Sequence, residues 1–285
     1  MTPAQKRLGR QHLMGSGYSE RRSCRVLELA RSTARYRARR KNSEELLDRI
    51  RQMASDWCGI GYRMVHDRLR QEGICVNHKR VLRLWRVLGL QHHPKKRRTR
   101  LRSIVVRLPP PQCANERWAL DFLTDRLENG QPYRILAVID VYTRECIVIL
   151  AARSMPAWRV VATVDRASVV RGVPNMITTD NGPELTSKAF TEWGSRNQVT
   201  LRYSRPGKPT DNPFIESFNA RLRAECADLW WTQSISEADQ LLARWRDRYN
   251  NERPHRSIGR TPPAHYARNV EWIDYRLPVD VPVAL

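Results

Sequence analysis

Asp180 and Glu216 are separated by thirty-five intervening residues, and each sits in a motif marked by glycine or proline. The first reads Ile177-Thr178-Thr179-Asp180-Asn181-Gly182-Pro183-Glu184. The second runs from Arg205-Pro206-Gly207-Lys208-Pro209 through Asn212 to Phe214-Ile215-Glu216-Ser217-Phe218-Asn219. Upstream, Arg117-Trp118-Ala119-Leu120-Asp121-Phe122 places a third carboxylate inside an apolar strand pattern. Phosphodiester cleavage and transfer need charge stabilisation on both the attacking and the leaving oxygen. Two magnesium ions roughly 3.5–4 Å apart can supply it. Magnesium takes carboxylate oxygens and keeps some of its waters. Three carboxylates in a strongly basic chain therefore suggest a metal-dependent enzyme acting on a polyanion.

The charge supports that partner. The 285 residues carry a formal charge of +22. Residues 1–112 hold 28 Lys and Arg against 8 Asp and Glu, a net of +20, so only +2 is left for the remainder. Such asymmetry points to a separate basic module for nucleic acid rather than a general solubility face. A membrane-surface role needs a strong apolar face beside the charge, and none is visible. The six cysteines, at 24, 58, 75, 113, 146 and 226, form no Cys-x-x-Cys pair. Neither a zinc ribbon nor a disulfide framework is suggested. With no signal peptide and no membrane-spanning apolar run, the chain reads as cytosolic.

The elements that must position these groups follow from periodicity. Residues 1–42 read as a basic helical arm. A helix over 19–27 is capped by Ser19, and Ser32 to Arg37 opens a candidate recognition helix. A helix over 43–55 is capped by Ser43. Another spans Tyr62 to Gln71 with Val65 and Leu69 inward; Gly73 stops it and Asn77 caps the next. His78 to Leu88 carries Val81, Leu82, Trp85 and Leu88 on an apolar stripe, with Lys79, Arg80, Arg83 and Arg86 largely opposite. This is the stronger helix-turn-helix candidate, and Trp85 is read as core. Lys95-Lys96-Arg97-Arg98, ahead of Pro109-Pro110-Pro111, reads as a linker lying along phosphates.

From about residue 114 strands and helices alternate. Three antiparallel strands are expected around Trp118–Leu123, Ile135–Val141 and Cys146–Leu150, with a hairpin at Glu128-Asn129-Gly130. Then come a helix over 156–171, a strand over 176–179, a helix over 187–197, a strand over Thr200–Tyr203 and a long helix over 212–229. That order is the order of a ribonuclease-H-like α/β domain. A last helix spans about 236–250. Asp121 would sit mid-strand at the sheet centre and Asp180 at the carboxyl end of a neighbouring strand, where ligands gather in open α/β sheets. Glu216 would point in from a helix, and Asn181-Gly182 would make a tight turn. Asp140 is read as a turn or hydrogen-bonding residue before a fourth metal ligand, and Glu184 as a helix-start residue. His255 is read as packed or capping. Lys208 is a candidate phosphate contact against plain solvent exposure.

These motifs, in this order, resemble insertion-sequence transposases with an integrase-type catalytic core, in particular the second-frame product of the frameshifting group. Asn115 to Phe122, Asp180-Asn181-Gly182-Pro183-Glu184 and Phe214 to Asn219 match the three core motifs. Tyr249-Asn250-Asn251-Glu252-Arg253-Pro254-His255 and Thr261-Pro262-Pro263 match the tail, while Gly61-Tyr62-Arg63 and Val76 to Val81 match the upstream helical domain. The resemblance implies Asp121, Asp180 and Glu216 as catalytic ligands of two Mg2+ (or Mn2+) ions. It implies DNA, both element ends and target, as partner, a homo-oligomer on that DNA, and the upstream-frame helix-turn-helix protein or its frameshift fusion. The setting is then bacterial and nucleoid-associated. The segment Cys226 to Thr232 is less typical of the family. The His-His-Cys-Cys zinc module of retroviral integrases is absent from the sequence, and His92 and His93 read as linker residues.

The expected organisation is a basic arm at 1–42, a helix-turn-helix domain at 43–93, a linker at 94–113, a ribonuclease-H-like core at 114–232 and a C-terminal helix and tail at 233–285. Lys79, Arg80, Arg83, Lys95, Lys96, Arg97, Arg98 and Lys208 are the expected DNA contacts. The expected reaction is strand cleavage freeing a 3′-hydroxyl, then attack of that hydroxyl on another phosphodiester. The family implies attack on the same strand near the other end, giving a circular intermediate. The alternatives are a ribonuclease-H-like nuclease that cleaves without joining, and a DNA-binding regulator with an inactive core.

Overall fold

Period-two alternation from Arg117 to Ala152 is realised as three antiparallel strands: β1 (Arg117–Arg126), β2 (Pro132–Asp140) and β3 (Cys146–Ala152). A computed structural model of the chain describes residues 1–35, 44–57, 59–91, 108–205, 212–227 and 231–270. Two short strands, β4 (Met176–Thr179) and β5 (Thr200–Tyr203), add in parallel, giving a mixed five-stranded sheet in the order β3-β2-β1-β4-β5. Strand β1 is therefore central. The β1–β2 turn uses Gly130 at φ +81°, a left-handed conformation that glycine adopts without steric cost. Asn129 accepts the Gln131 N–H across that turn.

Both faces of the sheet are covered. On one, Trp118, Leu120, Leu136 and Val138 pack with α7 (Ala157–Arg171) and α8 (Lys188–Arg196) through Val160, Val164, Phe190 and Trp193. On the other, Ala119, Leu123, Ile135, Ala137 and Ile139 pack with α9 (Pro213–Glu225) and α10 (Ile235–Asn251). Phe218, Trp245 and Tyr249 meet there with ring centroids 5.0–5.4 Å apart. Helix α10 also guards the edge strand. Asn250 bonds both the N–H and the C=O of Cys146, and Asp239 accepts the Ala151 N–H. An exposed edge is thus partly satisfied by side chains rather than left open for another chain.

The chain divides into two compact units, Met1–Arg49 and Ile50–Leu285. The first contains α1 (Pro3–Gly15), α2 (Glu20–Val26) and α3 (Arg31–Arg35). Ser19 caps α2 by accepting the Arg22 N–H, as its position before the helix implies. Glu20 pairs with Arg10 at 2.9 Å and Arg35 at 2.7 Å. The expected recognition helix starts one residue early, at Arg31, and residues 36–43, Ser43 included, lie outside the described residues. Helix α4 (Glu44–Asp56) runs through the division.

In the second unit, α5 (Tyr62–Gln71) and α6 (His78–Val87) are joined by a turn with Gly73 at φ +79°. Asn77 caps α6 by accepting the Lys79 N–H. The inward stripe of α6 is Val81, Leu84 and Trp85, whereas Leu82 and Leu88 of the expected Val81, Leu82, Trp85 and Leu88 are only half-buried. Spacing i, i+3, i+4 sets that face, and Leu82 at i+1 falls beside it, half-buried. Helix α9 ends at Glu225, short of the expected 229. Cys226 leaves helical geometry at φ −141° and buries its side chain in the α9–α10 layer. Two further elements follow, a 3-10 turn at Arg256–Ile258 and α11 (Pro263–Arg268). No described helix is long and apolar enough to cross a membrane.

Candidate active site

Parity along β1 decides where Asp121 points. Ala119 and Leu123 belong to the face covered by α9 and α10, and Asp121 shares their parity. Its Oδ1 accepts the Phe122 N–H at 2.8 Å, and its Oδ2 accepts Nδ2 of Asn219 on α9 at 2.8 Å. Strand β4 runs parallel to β1 with Ala119 opposite Thr178, so the same register carried two residues on sets Asp180 level with Asp121. Asp180 is exposed, and its Oδ1 accepts the Gly182 N–H at 3.2 Å. A Cβ on Gly182 would stand 3.3 Å from that Oδ1 and 3.4 Å from Glu184 Oε2, so a bare backbone lets the turn close tightly.

Glu216 sits in the first turn of α9. Pro213 opens that helix with its φ already set. Asn212 ties its start to the end of β4 through Nδ2 donating to the Thr178 carbonyl at 3.4 Å. Electrostatics link the three acids. Burial, and then the Asp180 charge, push the Asp121 carboxyl up to about 6, against lowering by the Phe122 and Asn219 bonds. Burial, and then the Asp121 charge, raise Glu216. The structure thus brings Asp121 into electrostatic range of both Asp180 and Glu216. Among the described residues, no three His, Cys, Asp or Glu side chains stand at metal-ligating spacing. Three like charges repel, and both Asp121 oxygens are engaged by the bonds above.

Other expected positions resolve individually. Asp140 is buried and accepts backbone N–H groups of Asn115, Tyr142 and Thr143, which makes it a turn anchor. Glu184 does not start a helix. Helix α8 begins four residues later at Lys188, and Glu184 instead pairs with Arg134 of β2. The Arg134 guanidinium also lies 4.1 Å from the centre of the Phe122 ring. His255 is packed: it is buried, its ring meets Tyr249 edge-on at 4.9 Å, and its backbone N–H bonds the Thr261 carbonyl. On α6, Lys79 and Arg83 are exposed, while Arg80 is half-buried. His92, His93, Lys95, Lys96, Arg97, Arg98 and Lys208 lie outside the described residues. Reading the sequence assigns no role to Asn219. Its spacing of three from Glu216 places it on the same face of α9, and that i, i+3 relation is the signal that could have found it.

Changing Lys79 and Arg80 together to alanine is expected to weaken binding to element-end DNA more than to random DNA. Removal of one bidentate base contact would make the difference about 1–3 kcal/mol. Equal weakening on both DNAs at one fixed salt concentration would reduce these residues to phosphate contacts.

Comparison with known proteins agrees with this architecture. The family described as Integrase core domain matches residues 111–209 and 197–263, and the HTH-like domain family matches residues 41–98. The 31.7 kDa protein of insertion element IS407 from Burkholderia multivorans is 36% identical, covering 93% of this chain and 95% of that one. The 39.2 kDa protein of insertion element IS476 from Xanthomonas euvesicatoria is 36% identical, covering 94% of this chain and 78% of that one. Among solved structures, the HTLV-2 integrase catalytic core in complex with magnesium aligns with a TM-score of 0.42 and 15% identity, covering 55% of this chain and 98% of that one. The chain belongs to the insertion-sequence transposase family that joins an HTH-like domain to an integrase core.

Proposed function

We propose that this protein cuts DNA strands at the ends of an insertion element and joins the freed 3′-hydroxyls to another phosphodiester. The observation that carries the reading is the placement of Asp121 on the central strand, with Asp180 level with it in register after the parallel neighbour β4 and Asn219 of the helix that carries Glu216 bonded to it. In this reading the three groups, carried by β1, the turn after β4 and the first turn of α9, serve one site near the carboxyl end of β4. Asp121, Asp180 and Glu216 are the catalytic residues in this reading. The arm at 1–42, the helix-turn-helix domain at 43–93 and the linker at 94–113 hold DNA, the core at 114–232 reacts, and 233–285 closes it. Lys79, Arg80, Arg83, Lys95 to Arg98 and Lys208 supply phosphate or base contacts. A second copy and the upstream-frame protein complete the assembly on DNA.

The residues fit a pair of hard divalent ions. The donor set is all carboxylate oxygen, and burial beside like charge leaves Asp121 short of a balancing cation. Asn219 Oδ1, on the residue that bonds Asp121, is buried without a partner among the described residues. Held by Asp121, Asp180 and Glu216, Mg2+ or Mn2+ would stabilise charge on the attacking and leaving oxygens. The chain itself fixes the carboxylates. Asn219 and the Phe122 N–H set the Asp121 plane, Gly182 sets Asp180, and the Asn212 tether sets the start of the helix that carries Glu216. In each step one P–O bond forms as another breaks. First a water oxygen attacks the phosphorus at the element end and displaces the element's 3′-oxygen, which leaves a 3′-hydroxyl on the element and a 5′-phosphate on the flanking strand. Then that oxygen attacks a second phosphodiester and releases a new 3′-hydroxyl there. Neither exchange needs an outside energy source.

The test is a joining assay with the full chain, magnesium, a duplex whose element end already exposes its 3′-hydroxyl, and a target duplex. The expected result is a covalent product longer than either DNA. Cleavage without joining would select the nuclease reading, and binding without either would select the regulator.

A further inference from the structure

The second unit holds a cavity of about 490 Å³ that none of Asp121, Asp180 or Glu216 lines. Its wall gathers Arg221 from α9, Arg144 from the β2–β3 turn, and Arg253 and His255 from the segment after α10. Cations dominate and are poorly balanced. Arg144 and Arg221 have no carboxylate at ion-pairing distance among the described residues, and the Arg144 guanidinium lies 4.2 Å from the centre of the Phe214 ring. Arg253 pairs with Glu225 at 2.5 Å, its one acidic partner among the described residues. The one acid on the wall, Asp67, is taken by Arg260 at 3.0 Å and lies beside His66. Exposed Arg63 and Arg256 flank the opening.

The same wall carries underserved polar atoms. His255 is 6% exposed, and its Nε2 is buried with no hydrogen-bond partner among the described residues. Arg144 Nε and Arg253 Nε are likewise buried and unpartnered. Buried polar atoms are normally satisfied, and these three belong to residues of the cavity wall, so the wall is polar and undercompensated. The ring is held almost neutral: burial, then Arg253, Arg221 and Arg144, push His255 down to about 3. Several uncompensated guanidiniums around one space, with aromatic Phe214 and Tyr249 on its wall, suit a phosphodiester better than an apolar guest.

We infer that this cavity is a binding site for a backbone phosphodiester of DNA, away from the reacting centre on a different face of α9. The inference rests on the DNA-acting reading above. It gives Arg221, Arg144 and His255 a shared task, which is to grip a strand while Glu216 on the same helix faces the chemistry.

The test uses the full chain and the variants Arg221→Gln and Arg144→Gln. Both should fold, since each removes an unbalanced cation, and either one alone carries the test if the other does not fold. Duplex binding is titrated over a range of salt. Each variant should bind duplexes of any sequence about tenfold more weakly, the scale of one hydrogen bond to a charged group. The log–log salt slope should fall by about 0.9 for each phosphate that the variant no longer neutralises. In parallel, inorganic phosphate at constant ionic strength should shift the His255 ring resonances of the wild type and not those of the variants. If wild type and variants bind DNA equally with equal slopes, the cavity is no DNA site, even if phosphate alone enters it. If the wild type binds no DNA, the underlying reading fails first and takes this inference with it.

Discussion

Asp121→Asn is expected to abolish both cleavage and joining while leaving DNA binding intact and making the fold more stable. The amide keeps the shape but loses the charge that would hold a divalent ion. The local bonds survive. The oxygen of the introduced amide can still accept the Phe122 N–H, and Asn219 can turn its unpartnered Oδ1 toward the introduced NH2 group. The stability sign follows from the raised carboxyl. Below its ordinary value of 3.8, Asp121 is protonated in folded and unfolded chains alike and contributes nothing. Between 3.8 and about 6 the unfolded chain ionises first, and the folded state loses ground as pH rises. Above about 6 the penalty is complete, on the order of 1–3 kcal/mol. The variant should therefore melt higher than the wild type at pH 8 and equally at pH 3.5. Asp180→Asn and Glu216→Gln should also lose both reactions. Retained joining in any of the three would remove that residue from the site.

Trp118→Ala is expected to cost the core about 3–5 kcal/mol, the range for removing a buried aromatic side chain. Trp118 is fully buried between β1 and the α7–α8 layer, and its Nε1 donates to Asn115 Oδ1 at 3.0 Å. Asn115 is itself at φ +61° and anchors the loop before β1, with its N–H on Asp140. The change therefore creates a cavity and frees a strained turn close to the strand that carries Asp121. Denaturant unfolding of the full chain is the measurement. A loss below about 1 kcal/mol would mean that this motif residue is kept for something other than packing.

The central strands were legible because their signal is local. Alternation in Trp118–Leu123 and the β-branched run at Ile135–Ile139 both report period two, and Asp121 follows from parity alone. Asp180 was legible because a glycine turn directly follows a short apolar strand. What escaped depends on partners distant in sequence. Glu184 looks like a helix-start acid until Arg134, fifty residues upstream, takes it. Arg68 bonds the carbonyl and carboxylate of Glu252, and Arg68, Arg248 and Arg253 lie 5.5, 4.4 and 5.9 Å from the centre of the Trp57 ring. These contacts join α5 to the segment after α10, and no periodicity announces them. Helix α11 is only Pro263–Arg268, too short for an amphipathic pattern to declare itself. Asn219 was visible in its motif, yet its role needed the depth of Asp121 to be known.

In the proposed mechanism Asp121, Asp180 and Glu216 serve one cation site. Manganese binding to the full chain on element-end DNA, followed by water-proton relaxation, tests it most directly. Saturable binding is expected in the wild type, with its loss in Asp121→Asn, Asp180→Asn and Glu216→Gln and its retention in Glu184→Gln, whose carboxylate already serves Arg134. Undiminished manganese affinity in the first three variants would contradict it.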